Sequence, residues 1–306
     1  MFKRFKRKRL GNISIIGLGI VGSATAIGFS KIGYNVIGVD IVRHKIDKIN
    51  KLNRRNLRAT SILDDAVSNS EVSFVCVDTP TKNDGVIDLG PLIKVCKDIS
   101  RIIINKRYHL IVFRSTMFPG SLKILKNILE KYSGKKEGDD FDVAINPEFL
   151  REKHDLEDFF KPSMIVVGAL DSSVSKMVLG YYGTIEARKF VVSEELAQMI
   201  KYVSNSFHAL KITFTNEVAA LCKPLGIDSK SLMKLFCADT ELNISTKYLI
   251  PGKAYEGMCL PKDIAVLQKE IRKLKLKCPI INNISESNKE QIKRDKNDNR
   301  RNSNIQ

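Results

Sequence analysis

The sequence has no apolar run long enough to span a bilayer, and its six cysteines and four histidines show neither close pairing nor metal-ligand spacing. The first absence excludes a transmembrane helix. The second argues against a disulfide framework and a bound metal, and indicates a reduced, cytoplasmic protein without membrane association. A basic run before Ile13–Val21 imitates a secretory signal, but the glycines within that segment would break its apolar helix.

Acidic side chains are scarce: 34 stand against 51 basic ones, which gives a net charge of +17. The excess is concentrated at the two ends, residues 1–10 and 282–306, which together carry +8. Solvated basic ends account for this charge without a folded basic face, so nucleic acid is not an expected partner.

The first half of the chain opens with a glycine-rich turn. A β-branched run, Asn12–Ile16, leads into Gly17–Gly22 and a helical stretch to Gly33, and a second strand, Tyr34–Val39, ends at an acidic residue. This is one βαβ unit of the dinucleotide-binding type, and its acidic residue would bind the adenosine ribose and repel a 2′-phosphate. The pattern predicts NAD as cofactor, held in part by Gly17, Gly19, Ile20, Val21, Gly22 and Asp40.

Further apolar strands alternate with helical segments up to about residue 192, which predicts a doubly wound, mostly parallel sheet. The predicted strands are Val72–Val77, Leu110–Phe113, Asp142–Ile145 and Met164–Val167. Ligands of such sheets lie beyond the carboxyl ends of the strands. The polar loops at those ends supply the candidates Thr79, Thr116, Glu148 and Glu152.

From Ser193 the apolar period becomes helical for more than five turns, and two shorter helices are predicted at about Ser229–Phe236 and from Pro261 to Leu274. Beyond Ile281 few residues are apolar, which predicts a disordered tail. The predicted fold class is therefore α/β, with a Rossmann-like domain followed by an all-helical domain. The predicted segments are a basic tail at 1–11, the NAD-binding domain at 12–192, the helical domain at 193–281 and the tail at 282–306.

Two features of the helical half suggest chemistry. Lys201 and Asn205 are four residues apart and share a helix face, although a solvated face would produce the same spacing. Cys259 is predicted in a loop between glycine and proline, where Lys262 and the following helix start would favour its thiolate. A buried, inert cysteine is the alternative.

Taken together, these blocks resemble the UDP-glucose/GDP-mannose dehydrogenase family, in particular its mannose-type members. The resemblance runs from about Asn12 to Asn288. It rests on Gly17–Gly22, Val77–Pro80, Arg114–Thr116, Asn146–Glu152, Lys201–Asn205, Asn216–Glu217 and Cys259–Asp263.

The resemblance implies a four-electron oxidation of a nucleotide sugar C6 alcohol to the carboxylate with two NAD, GDP-mannose being the first expectation and UDP-glucose the next. It implies a homodimer formed through the long central helix. The implied cofactor contacts add Thr79, Thr116, Glu152 and Lys262. The implied catalytic residues are Cys259, Lys201, Asn205, Asp263, Glu148 and Thr116.

Several features depart from the family pattern. Family members usually have glycine where Asp78, Lys153 and Glu256 stand, and the resemblance stops before the family's second nucleotide-binding domain. A catalytically impaired, truncated homologue that binds NAD and dimerises is therefore a second hypothesis. A two-electron hydroxyacid dehydrogenase using Lys201 is a third, although it leaves the Cys259 block unexplained.

Overall fold

The computed structural model describes residues 11–81, 87–151, 153–245, 254–256 and 259–303, and of residues 259, 262, 263 and 297–303 it describes the backbone alone. The chain divides into two compact units, Met1–Val203 and Ser204–Gln306. No helix among the described residues is both long enough and apolar enough to cross a membrane.

The first unit is built on one eight-stranded sheet with the order β3-β2-β1-β4-β5-β6-β7-β8. All neighbouring strands are parallel except β6 and β7, which are antiparallel. The strands are β1 Asn12–Ile16, β2 Asn35–Val39, β3 Leu57–Thr60, β4 Val72–Val75, β5 His109–Phe113, β6 Phe141–Ile145, β7 Met164–Ala169 and β8 Arg188–Val192.

Helices cover both faces of this sheet, as continuously apolar parallel strands require. They are α1 Ile20–Ile32, α2 Arg43–Asn50, α3 Leu63–Ser68, α4 Gly90–Ile103, α5 Ser121–Ser133, α6 Asp155–Phe160 and α7 Ser172–Tyr181. Buried side chains form one large cluster on each face. The predicted doubly wound sheet is confirmed, but the edge strands β3 and β8 were not predicted, because LRAT is short and RKFVV begins with two charged residues.

The remaining helices are α8 Glu194–Cys222, α9 Ser229–Ala238, α10 Cys259–Lys273 and α11 Pro279–Ser303, with a short 3₁₀ turn at Lys223–Leu225. The predicted start of α9 is borne out by its cap, because the Asp228 carboxylate accepts hydrogen bonds from the backbone N–H groups of Lys230 and Ser231.

Three sequence-based expectations differ from the structure. The compact units divide after Val203, inside α8, and not at residue 192, because the first turns of α8 pack on the sheet: Ala197 is fully buried beside Gly168. Cys259 is the first residue of α10 and does not lie in a loop. The tail predicted to be disordered from residue 282 is helical to Ser303, because α11 packs on α10 around the buried Ile281 and Ile271.

Candidate active site

The turn between β1 and α1 is shaped by close backbone approach. Gly17 has φ +92°, and a Cβ at this position would lie 2.8 Å from the carbonyl oxygen of Cys76. A Cβ at Gly22 would lie 1.7 Å from the carbonyl oxygen of Gly17. No side chain caps α1 at Gly19, so the first N–H groups of the helix remain available to an anionic ligand.

The acidic residue at the end of β2 is tied into this turn. Asp40 is 7% exposed. Its Oδ2 accepts a hydrogen bond from the N–H of Leu18 at 2.7 Å, and its Oδ1 accepts one from Val42 at 2.9 Å. Lys45 places its Nζ 3.5 Å from Oδ2. Asp40 therefore orders the glycine turn, and the ribose contact expected of it stays a prediction that must use its remaining lone pairs.

Lys45 is a residue of this region that the sequence analysis missed. Nothing in its spacing from Asp40 singled it out, because α2 carries several basic side chains. Its position beside Asp40 places a positive charge at the carboxyl end of β2, next to the glycine turn.

A cavity of about 260 Å³ lies at the carboxyl ends of β1, β4, β5 and β6. It is lined by Gly19, Ile20, Val21, Cys76, Val77, Asp78, Thr79, Arg114, Ser115, Thr116 and Glu148. The loops after β4 and β5 are joined by hydrogen bonds, since the Thr79 hydroxyl donates to the Thr116 carbonyl at 2.8 Å and the Ser115 hydroxyl donates to the Val77 carbonyl at 2.6 Å. These bonds hold the two predicted threonines at one wall.

Glu148 and Lys201 form an ion pair beside this cavity. Lys201 Nζ lies 2.7 Å from Glu148 Oε1, and their side chains are 11% and 12% exposed. Glu148 Oε2 accepts a hydrogen bond from the N–H of Leu150 at 2.6 Å, and the Lys201 ammonium lies 5.9 Å from the Phe149 ring centroid. The structure thus brings together two predicted catalytic residues that are far apart in sequence.

Beneath the cavity, a buried polar cluster fixes the loop that carries Glu148. Arg114 donates hydrogen bonds to Asn146 Oδ1 at 2.6 Å and to the Tyr182 hydroxyl at 2.7 Å. Tyr182 also donates to Asn146 Oδ1, while Asn146 Nδ2 donates to the Val166 carbonyl. The sequence analysis named Arg114 only as part of the Arg114–Thr116 motif. In the structure its role is to hold Asn146 and Tyr182 beneath the Glu148 loop.

Cys76 also lines the cavity and is therefore a rival candidate nucleophile. Its pKa is raised to about 12, mainly by burial, against smaller opposing effects of the Arg114 charge and a hydrogen bond with Thr25. At neutral pH it remains a thiol, which is a poor nucleophile. Burial therefore disfavours Cys76 as the nucleophile.

The other predicted residues belong to the second unit or lie outside the described part. Asn205 is on α8, one turn after Lys201, and is exposed. Cys259, Lys262 and Asp263 occupy the first turns of α10, but their side chains lie outside the described residues. Glu152 is also outside them.

Two family models match most of the chain. The NAD-binding domain of the UDP-glucose/GDP-mannose dehydrogenase family matches residues 11–55 and 50–186, and the central domain of the same family matches residues 195–290. The chain belongs to the UDP-glucose/GDP-mannose dehydrogenase family. It is accordingly an NAD-dependent oxidoreductase of the nucleotide-sugar dehydrogenase type, as the fold and the cavity lead one to expect.

Relatives of this dehydrogenase are named for two different sugar nucleotides. It is 38% identical over 299 residues to GDP-mannose 6-dehydrogenase of Pseudomonas putida, covering 92% of this chain and 68% of the relative. It is 36% identical over 299 residues to UDP-glucose 6-dehydrogenase of Rickettsia bellii, covering 91% and 67%.

Solved structures agree with these matches. A ternary complex of GDP-mannose dehydrogenase from Pseudomonas aeruginosa superposes with a TM-score of 0.89 at 38% identity, covering 92% of this dehydrogenase and 69% of that chain. A UDP-glucose dehydrogenase from Pyrobaculum islandicum gives a TM-score of 0.72 at 32% identity, with the same coverage.

The residues present fit the NAD that the family uses. A Cβ placed on Gly19 would meet no atom closer than Asp78 Oδ1 at 3.9 Å, so this glycine leaves open space at the helix N-terminus where a diphosphate would sit. The exposed Asp78 is unfavourable at that place, since its carboxylate would face a second anion.

Proposed function

We propose that this dehydrogenase oxidises the C6 alcohol of a nucleotide sugar to the carboxylate, with GDP-mannose as the first candidate substrate, giving GDP-mannuronate, and UDP-glucose as the second. The observation that carries the proposal is the partly buried Glu148–Lys201 ion pair beside a cavity bounded by the glycine turn. A base and a cation held together at that edge are what a two-stage oxidation with a hydrolytic last step requires.

The cofactor side of the proposal uses the first unit. NAD, when bound, supplies the hydride acceptor for each of the two oxidations. Gly17, Gly19, Ile20, Val21 and Gly22 would hold its diphosphate, Asp40 its ribose, and Thr79 and Thr116 the end nearest the chemistry. Glu152 and Lys262 complete the proposed set.

In the first oxidation, Lys201 and Asp263 would help to remove the alcohol proton through water while the first hydride is lost from C6, and the product is an aldehyde. The Cys259 thiolate then adds to the aldehyde carbon to form a thiohemiacetal, and its oxyanion is stabilised by Lys201 and Asn205. Loss of a second hydride converts the thiohemiacetal to a thioester. Because the aldehyde is held covalently, it does not escape between the two oxidations.

Hydrolysis of the thioester ends the reaction. Glu148 accepts a proton from a water molecule that Thr116 orients, and that water attacks the thioester carbon and releases Cys259 as thiolate. The balance is one alcohol, one water and two NAD converted to one carboxylate, two NADH and three protons. Two features support these roles: Glu148 and Thr116 line one cavity, and Cys259 is the first residue of α10, where the helix dipole favours a thiolate.

A homodimer formed through α8 is part of the proposal. Large apolar side chains of this helix are exposed in the single chain, which is costly unless a partner covers them. They are Leu196, Met199, Val203, Phe207, Leu210 and Ile212. Light scattering should give twice the chain mass for the wild type, and Phe207→Lys should shift it toward the monomer, whereas Leu235→Lys on α9 should not.

The test of the function is the NADH yield per sugar at saturating NAD, with GDP-mannose and UDP-glucose in separate reactions. Two NADH per sugar, lost in Cys259→Ser, is the expected result. One NADH per substrate would favour the simple two-electron dehydrogenase. No NADH from either sugar, with NAD binding intact, would favour the non-catalytic homologue.

A further inference from the structure

The helix α11 includes the segment whose composition predicted disorder. Its described contacts with the rest of the second unit lie on one face of the helix. Ile281, Asn288 and Asp295 are spaced by seven residues and therefore share one face of the helix. Each of them contacts another element of the second unit. The opposite face carries ion pairs within the helix, such as Lys289 with Glu286 and Lys293 with Glu290.

The start of α11 is fixed by α8. Glu217 Oε1 accepts a hydrogen bond from the N–H of Ile280 at 2.8 Å, and its Oε2 accepts one from Ile281 at 2.9 Å. A carboxylate at these first N–H groups satisfies free donors and complements the helix dipole. Glu217, which belongs to the Asn216–Glu217 motif and has no role in the proposed chemistry, therefore anchors α11.

The middle of α11 holds the backbone of Ala254 and Tyr255. Asn288 Oδ1 accepts a hydrogen bond from the Tyr255 N–H at 2.9 Å, and Asn288 Nδ2 donates to the Tyr255 carbonyl at 2.9 Å. Two helical turns after Asn288, Asp295 Oδ2 accepts a hydrogen bond from the Ala254 N–H at 3.0 Å. Asp295 Oδ1 accepts one from Gln291 Nε2 at 2.8 Å. A primary amide is the side chain that can bind both groups of one peptide residue in this way.

The same helix also holds α10, whose first residue is Cys259. Gln268 Nε2 donates to the carbonyls of Ile281 and Asn282, each at 3.1 Å, and Ile271 is fully buried with Ile281. Tyr255 and Cys259 are only four residues apart in sequence. Tyr255, four residues before Cys259, is therefore attached to α11 by hydrogen bonds, and α10, which begins at Cys259, is attached to α11 by packing.

We propose that Asn288 is a positioning residue for the Cys259 nucleophile, and that Asp295 supports it, by fixing the backbone of Tyr255 and Ala254 a few residues before Cys259. The proposal rests on the proposed function, in which Cys259 carries the sugar as a thioester. A nucleophile misplaced by about 1 Å can cost a hundredfold in rate without loss of substrate binding. Asn288 touches neither sugar nor cofactor in this scheme and acts through the backbone of Tyr255.

The experiment compares Asn288→Ala, Asn288→Asp and the matched control Asn283→Ala in the full chain. Asn283 is an asparagine of the same helix whose amide donates within α11, to the Pro279 carbonyl. Two readouts are made on each folded protein: kcat and KM for NADH formation, and the rate of iodoacetamide alkylation of Cys259 relative to the exposed Cys237, measured by peptide mass spectrometry.

Asn288→Ala should lower kcat at least tenfold with less than a twofold change in KM, and should change the Cys259-to-Cys237 alkylation ratio at least threefold. Asn288→Asp, which can still accept from the Tyr255 N–H, should recover part of kcat. Asn283→Ala should match the wild type in both readouts. A wild-type kcat and alkylation ratio in Asn288→Ala would overturn the proposal.

The outcomes also separate this proposal from the proposed function. If the wild type makes no NADH but the alkylation ratio shifts only in the Asn288 variants, the function fails and the positioning role stands. If the wild type makes two NADH per sugar and Asn288→Ala behaves like it, the function stands and the positioning role is wrong. If Asn288→Ala does not fold, the comparison of Asn288→Asp with Asn283→Ala decides by the same criteria.

Discussion

Lys201 Nζ and Glu148 Oε1 lie 2.7 Å apart, although 52 residues separate them in the chain and neither side chain is more than 12% exposed. Glu148 follows β6, and Lys201 lies on the second turn of α8. Packing of the first turns of α8 on the sheet therefore brings the two side chains together. In the proposed chemistry they act at different stages, Lys201 on the oxyanion and Glu148 on the hydrolytic water.

Replacing Glu148 with Gln should separate these stages. The amide keeps the shape but cannot accept the water proton, so kcat should fall about a hundredfold or more while the thioester still forms. Rapid mixing should show a burst of NADH, and mass spectrometry should find the sugar acyl group on Cys259. Glu157→Gln, an exposed carboxylate on α6, is the control. A Glu148→Gln enzyme with wild-type kcat would show that another group activates the water.

Asp78→Gly should tighten NAD binding by roughly three- to tenfold. The exposed carboxylate lines the cavity beside the glycine turn, and removing a like charge near the diphosphate is worth on the order of 1 kcal/mol at low salt. Calorimetric Kd values at low and high ionic strength measure this, and the gain should shrink at high salt. Asp139→Asn is the control and should leave Kd unchanged, because Asp139 precedes β6 and so lies at the amino end of that strand, away from the cavity. Weaker binding in Asp78→Gly would show that Asp78 helps to hold the cofactor.

Lys153→Gly should stabilise the protein by about 1 kcal/mol. Lys153 has φ +68°, a left-handed conformation that costs a residue with a side chain about 1–2 kcal/mol and costs glycine almost nothing. Urea unfolding gives the difference in free energy. The control is Lys161→Gly at the end of α6, where φ is −127°, and this change should destabilise. Equal effects of the two substitutions would contradict the conformational explanation.

The stability of the first unit should depend on pH through His109. This side chain is fully buried on β5, its Nε2 is 2.7 Å from Ser73 Oγ, and its pKa is lowered to about 3, mainly by burial and secondarily by the charge of Lys106. Between about pH 6.5 and 3 the unfolded chain binds a proton here that the folded protein does not. The stability is therefore complete above the unfolded pKa and is lost as pH falls, by about 1.4 kcal/mol per pH unit.

Chemical unfolding of His109→Gln at several pH values measures this contribution. Glutamine can bond to Ser73 without titrating, so the slope of unfolding free energy against pH below 6 should be smaller by about one proton than in the wild type. His154→Gln, an exposed histidine before α6, should keep the wild-type slope. An unchanged slope in His109→Gln would mean that other buried groups set the acid sensitivity.

Some elements of the fold could be predicted from the sequence and others could not. The sequence predicted the glycine turn, six of the strands, the helical period of α8 and the start of α9. Each of these is a local pattern that depends on residues within a few positions of each other. The edge strands β3 and β8 were not predicted, because a short or charged strand forms through pairing with its neighbour and its own composition does not mark it. The helix α11 escaped for a related reason: few of its residues are apolar, and contacts with α8, α10 and Tyr255 hold it.

The same division holds for the site. The sequence by itself determined the fold class, the cofactor type and the family, because a dinucleotide turn must be made of glycines at fixed spacing and because the family's blocks occur in order. Only the tertiary structure decided that Glu148 pairs with Lys201, that Asp40 binds the N–H of Leu18 beside Lys45, and that Asn288 holds Tyr255. Each of these contacts joins segments that are distant or unpatterned in sequence, and packing alone brings them within a hydrogen bond of each other.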